Sequence, residues 1–298
     1  MRNDANTHPG FAPEWVEWIF RAVRQQIRAA SSPTLIGLSG PLGSGKTTLA
    51  RQLVAAAMDA GIETRLLSLD DFYFGRAARR RLARDVHPLL AVRGVPGTHD
   101  VALLAAVLDA LPRARPGSPV FVPRFDKGRD TRAPPASWRR VVRAPRWIVL
   151  EGWCVGVPPQ PRAALAAPIN ALERAEDPMG HWRRWVNDRL RHEYARLWRR
   201  LDVLIALAAP DLAAISRWRE QQEQYLRRRH AVHAMPPSEV VRFMARCERW
   251  LRHAATALPA HADLCIDLDR DHRAGRVTPP LASDSSRRGP ARNPARHR

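Results

Sequence analysis

An α/β fold, with a mostly parallel sheet and helices on both faces, is what this 298-residue sequence predicts. Short, almost wholly apolar runs alternate with longer segments of helical period, as buried parallel strands alternate with their crossover helices. A glycine-rich turn joins the first of these runs directly to a helix. Acidic residues stand where two further runs end, at the carboxyl edge of the sheet where open α/β folds bind ligands.

Residues 14–28 (EWVEWIFRAVRQQIR) put Trp15, Ile19, Val23 and Ile27 at helical spacing and predict an amphipathic N-terminal helix. TLIGLSG (34–40) reads as a buried strand entering the glycine turn. Residues 47–61 read as the helix leaving it, closed by Gly61 at a C-cap position. ETRLLSLD (63–70) is the second strand. Residues 76–100 are rich first in arginine and then in turn formers, and 101–111 is helical with Asp100 as its N-cap. Proline and glycine mark loops at 112–119 and 134–135. WIVLE (147–151) is the third strand, and a long helix over 182–201 aligns Val186, Leu190, Tyr194, Leu197 and Leu201. DVLIAL (202–207) is the fourth strand. Helices at 211–229 and 239–254 precede the last strand, ADLCIDL (262–268). One domain is expected over residues 1–275. Residues 270–298 hold eight arginines, four prolines and few large apolar groups, so 276–298 is expected to be a disordered, solvated tail.

Lys+Arg number 49 against 29 Asp+Glu, a formal net charge of +20. No run approaches the roughly 18 apolar residues a membrane span needs, so no membrane partner is expected. The first residues lack the basic-then-apolar layout of a secretion signal. Cys154, Cys247 and Cys265 lie far apart without a CxxC, which argues against a disulfide framework or zinc site and for reduced, cytoplasmic thiols. Only Lys46 and Lys127 are lysines; the other 47 basic residues are arginine, a bias that codon drift in a GC-rich genome produces. A position that stays lysine under such drift marks a place where a compact ammonium serves and a planar guanidinium does not. The charge is spread over helices and tail, and the tryptophans sit at helix-core spacing rather than among basic residues. Both features argue against a nucleic-acid-linked ATPase and for no specific nucleic-acid partner.

GPLGSGKT (40–47) satisfies G-x-x-x-x-G-K-[ST], between a strand and a helix, and predicts a P-loop NTPase fold. Glycines let backbone N–H groups close on nucleotide phosphates at a helix N-terminus. The expected nucleotide-binding set, for ATP or GTP, is Gly40, Gly43, Ser44, Gly45, Lys46, Thr47 and Thr48. Lys46 places its charge between the β- and γ-phosphates, and the Thr47 hydroxyl is an Mg²⁺ ligand. Asp70, Asp71 and Glu151 are expected at the sheet edge. There one carboxylate can take the proton of an attacking hydroxyl and another can serve the metal; Asp71 has an equally good reading as a turn cap. Lys127 falls beside Arg124 and Asp126 in FVPRFDK, a positive cluster suited to a small hydroxy-carboxylate. Trp153 reads better as packing than as a pocket wall.

LSLDDFYF (67–74) and VLEGW (149–153) resemble the two acidic strand ends of the phosphoribulokinase/uridine kinase/pantothenate kinase superfamily. RGVPGTHD (93–100), VPRFDKGRDTR (122–132), EGWCVG (151–156), LDVLIAL (201–207) and RWREQQEQYLRR (217–228) are similar, in order and spacing, to D-glycerate 3-kinases and their bacterial relatives. The resemblance spans about 34–268. It implies an ATP- and Mg²⁺-dependent kinase acting on a hydroxyl of a small organic acid, D-glycerate foremost, with a nucleoside or pantothenate-like acceptor as the alternative. It further implies Asp70 as catalytic base, Glu151 as the metal's carboxylate, His99 as a substrate ligand, and Arg217 and Arg219 in a lid over the phosphates.

Overall fold

The structure is a computed structural model and describes residues 10–27, 33–228 and 235–278. In chain order the elements are α1 (Pro13–Gln26), β1 (Thr34–Ser39), α2 (Lys46–Asp59), β2 (Thr64–Ser68), α3 (Arg76–Asp85) and α4 (Val101–Ala110). Four short strands follow: β3 (Val120–Val122), β4 (Phe125–Asp126), β5 (Thr131–Arg132) and β6 (Arg139–Val141). Then come β7 (Trp147–Gly152), α5 (Ala171–Glu176), α6 (His181–Arg189), α7 (Ala195–Trp198), β8 (Val203–Ala208), α8 (Leu212–Arg228), α9 (Pro237–Ala257), β9 (Leu264–Leu268) and β10 (Ala274–Thr278). A π turn at Leu190–Tyr194 joins α6 to α7, so the long helix expected at 182–201 is one helical run with a bulge.

The main sheet has the order β10-β9-β8-β1-β7-β2, with five parallel strands and β10 antiparallel on the edge. The chain leaves β1 towards β2 and β7 on one side and later adds β8 and β9 on the other. The crevice therefore opens above the carboxyl end of β1. Alternate residues of each strand feed two cores. Ile36, Leu38, Val149, Val203, Ile205 and Ile266 pack under α1 and α2, whereas Leu35, Ile148, Leu150, Leu204 and Cys265 pack against α4, α6 and α9. Burial on both faces is why β1 and β7 are apolar almost throughout.

Two expectations change. Asp70 and Asp71 do not end the second strand; β2 stops at Ser68, and both aspartates lie in a 3₁₀ turn at Leu69–Phe72. The turn moves both off the strand axis, the Asp70 carboxylate to Lys127 and the Asp71 carboxylate to the Phe125 N–H of β4. The arginine-rich start of 76–100, for which the sequence predicts no element, folds as α3, anchored by a guanidinium rather than by an apolar stripe. Arg79 is fully buried and donates to the carbonyls of Phe74 (3.0 Å), Ala91 (3.0 Å) and Asp130 (2.8 Å) and to the Asp130 carboxylate (2.6 Å). The boundary at 275 also moves. β10 runs to Thr278 because Val277 and Thr278 pair with Ile266 and Cys265, which closes the sheet's edge. Residues 279–298 of the expected tail, like Arg28 at the end of the expected first helix, lie outside the described residues.

Candidate active site

The phosphate loop is shaped by two glycines in the left-handed region, Gly43 (φ 77°) and Gly45 (φ 80°). Gly43 is doubly constrained, since a Cβ there would lie 2.7 Å from the Trp218 Cβ on α8. His272, from the β9–β10 turn, donates through Nε2 to the Gly43 carbonyl at 2.9 Å and stacks on Trp218. Helix bonding in α2 starts at the Leu49 N–H, which leaves the Lys46 and Thr47 amides without intrahelical partners at the helix's positive end. Among the described residues the Ser39 hydroxyl, at the end of β1, and the Ser44 hydroxyl, in the loop, are buried without a protein partner. These orphaned groups and the glycine-lined cradle fit a bound polyphosphate.

Glu151 is buried near the end of β7, in register with Leu38 of β1 and Ser68 of β2, whose hydroxyl bonds its carboxylate. Burial raises its pKa, opposed by the Lys46 charge. The Asp70 carboxylate accepts from the Lys127 ammonium at 2.9 Å. Burial alone would raise the Asp70 pKa, but Lys127 and Lys46 together hold it well below the usual carboxylate range. The chain's only two lysines, from positions 81 residues apart, thus act on the same two carboxylates. Thr47 and Glu151 together present a hydroxyl and a carboxylate, the oxygen donors that suit Mg²⁺. Among the described residues no group of three or more His, Cys, Asp or Glu gathers into a metal cage.

His99 is buried beside this group and stacks on Tyr73 with centroids 4.1 Å apart. Its Nδ1 meets the Tyr194 hydroxyl at 2.7 Å, while its Nε2 is buried with no partner among the described residues. Burial pushes its pKa down to about 3 against the pull of the Asp70 charge, so the ring is neutral near pH 7. Asp100 caps α4 through the Leu103 N–H and also pairs with Arg132. Asp71 is held by the Phe125 N–H and by Arg139, a tie to β4 rather than to the crevice. Trp153 packs in the core and donates to the Gly94 carbonyl.

The remaining expected residues are not brought together. Arg124 is exposed, and its side chain makes no hydrogen bond or ion pair among the described residues. Arg219 pairs with Glu223 and Gln222 and lies over the Phe243 ring at 5.3 Å, so its charge is engaged within the helical layer. Arg217 is exposed on the same helix. The cation that does join Lys127 is Arg93, which sequence reasoning passed over. It pairs with Asp130, lies over the Phe125 ring at 5.5 Å, and its charge acts on both Lys127 and Tyr73. Its place in RGVPGTHD was the available signal, lost among many arginines.

No protein-family profile matches the chain. It is 32% identical over 237 residues to the uncharacterized kinase mug58 of Schizosaccharomyces pombe, covering 77% of this chain and 83% of that protein. It is 32% identical over 203 residues to the chloroplastic D-glycerate 3-kinase of Arabidopsis thaliana, covering 65% of this chain and 42% of that one. The solved D-glycerate 3-kinase of Cryptococcus neoformans superposes with a TM-score of 0.73 at 21% identity, over 90% of this chain and all of the other. At that identity the last likeness is one of fold.

Proposed function

The chain belongs to the family of P-loop kinases that includes the D-glycerate 3-kinases, and on that footing we propose that it phosphorylates a hydroxyl of a small hydroxy acid, D-glycerate to 3-phosphoglycerate being the best-supported reaction. The observation that carries the reading is the meeting of both lysines with Asp70 and Glu151 at the phosphate loop. Lys46 and the first-turn amides of α2 hold the β- and γ-phosphates of ATP. Lys127, with Arg93 beside it, supplies positive charge for an acceptor's carboxylate. Asp70 takes the proton of the acceptor hydroxyl as its oxygen bonds to the γ-phosphorus. The bond from that phosphorus to the bridging oxygen breaks, and its electron pair leaves on ADP. Mg²⁺, held by Thr47 with Glu151 behind it, would neutralise charge building on the phosphate oxygens. His99 Nε2, buried and without a partner among the described residues, would bond a hydroxyl of the acceptor.

ADP release measured over a panel of D-glycerate, nucleosides and pantothenate tests this reading. The expected result is turnover with D-glycerate alone, with 3-phosphoglycerate as product. Turnover confined to a nucleoside or to pantothenate overturns the acceptor assignment and leaves the kinase.

A further inference from the structure

We propose that Lys127 is a latch on the base: it occupies the Asp70 carboxylate until the carboxylate of an arriving acceptor draws it away, so that acidic acceptors themselves switch the base on. The inference rests on the reading of Asp70 as the base of a hydroxy-acid kinase.

The Lys127–Asp70 pair, 2.9 Å long, couples two side chains that are 57% and 34% exposed. Both are open to the crevice, and an ion pair this exposed is weak enough to be exchanged. Among the described residues Asp70 is the only hydrogen-bond and ion-pair partner of the ammonium. Lys127 follows β4 at the head of the turn into β5, and the backbone of that turn is fixed. The Asp126 carboxylate accepts from the Gly128 and Arg129 N–H groups, and Asp130 is tied to Arg79 and Arg93. A fixed backbone under a flexible four-carbon stem lets the ammonium swing between two carboxylates without moving the hairpin. Arg93 repels Lys127 in place, and a second carboxylate between them relieves that repulsion.

The chemical consequence concerns proton affinity. An Asp70 held down by Lys127 is a poor acceptor for the proton of water or of an uncharged alcohol. Once Lys127 bonds the substrate carboxylate, the Asp70 carboxylate regains affinity for the hydroxyl proton as the oxygen–phosphorus bond forms. The same exchange suppresses wasteful ATP hydrolysis when no acceptor is bound. An arginine would serve less well at this position, because its fork holds a carboxylate bidentately and gives it up less readily.

ATP hydrolysis without acceptor, and phosphoryl transfer to D-glycerate and to glycerol, are compared in the full chain and in Lys127→Met. The variant should hydrolyse ATP about tenfold faster than the parent and lose most of its preference for glycerate over glycerol. Propionate, a carboxylate with no hydroxyl to phosphorylate, should stimulate hydrolysis by the parent and leave the variant unaffected. Hydrolysis by Lys127→Met at or below the parental rate, or no response of the parent to propionate, overturns the latch. The hydrolysis readout does not depend on which hydroxy acid is the acceptor. Absence of parental transfer to glycerate therefore overturns the substrate reading alone.

Discussion

Asp70 and Glu151 sit in the same field of two lysine charges, yet their surroundings push them apart. Asp70 is held low by Lys127 and Lys46, whereas burial raises Glu151. If Asp70 accepts the proton and Glu151 serves the metal, their variants fail differently. Asp70→Asn should lower kcat by about 10²–10⁴ while ATP binding persists. Glu151→Gln should shift the Mg²⁺ dependence, so that added metal restores part of the rate. Rescue of Asp70→Asn but not of Glu151→Gln by Mg²⁺ reverses the two roles. His99 gives a prediction in pH. Its folded pKa of about 3 lies below the ordinary 6.5, so the unfolded chain binds the extra proton between those values. The stabilisation from a neutral His99 is complete above pH 6.5 and is lost as pH falls towards 3, at up to about 1.4 kcal/mol per unit. Denaturant unfolding at pH 4 and pH 7 should show a smaller difference in His99→Gln than in the parent.

At the scale of elements, the hairpin bearing Lys127 depends on a polar centre and not on an apolar one. Arg79 of α3 and Arg93 both end on Asp130, whose backbone is in the left-handed region at φ 53°. Arg79→Met would leave the carbonyls of Phe74, Ala91 and Asp130 without this donor and the Asp130 carboxylate with Arg93 alone. Buried acceptors stripped of a donor cost about 1–3 kcal/mol, readable as a drop in unfolding free energy. The loosened hairpin should also raise KM for the acid acceptor more than KM for ATP, which kinetics of both substrates would separate. β1, α2 and β7 were legible in the sequence because their apolar spacing is local. α3 was not, because RAARRRLARD carries a single large apolar residue, and its anchor is a guanidinium whose acceptors lie up to 51 positions away.

At the scale of the whole molecule, the sheet's last edge is closed by β10, and the P-loop is buttressed by the same hairpin through His272. Removal of residues 279–298 should leave kcat within about twofold of the parent, since their sequence is rich in arginine and proline and poor in the large apolar residues a core is built from. Removal from Ala274 onward should lower the melting temperature and weaken ATP binding, because it uncovers β9 and frees the turn that holds Gly43. Melting curves and nucleotide titrations of the two truncations distinguish these outcomes.

The phosphate loop, the parallel sheet and the two acidic segments were determined by the sequence alone. Each rests on neighbours in the chain: glycines with positive φ, short continuous apolar runs buried on both faces, a strand running into a turn. The pairing of Lys127 with Asp70, the entry of Arg93 in place of Arg124, and the engagement of Arg219 by Glu223 were decided by tertiary contact. In a chain with 47 arginines, local pattern does not distinguish a guanidinium that reaches the site from one that reaches solvent. Only the folded arrangement brings Arg93 and Lys127 into one field, because their separation in sequence is closed by the packing of α3 against the β4–β5 hairpin.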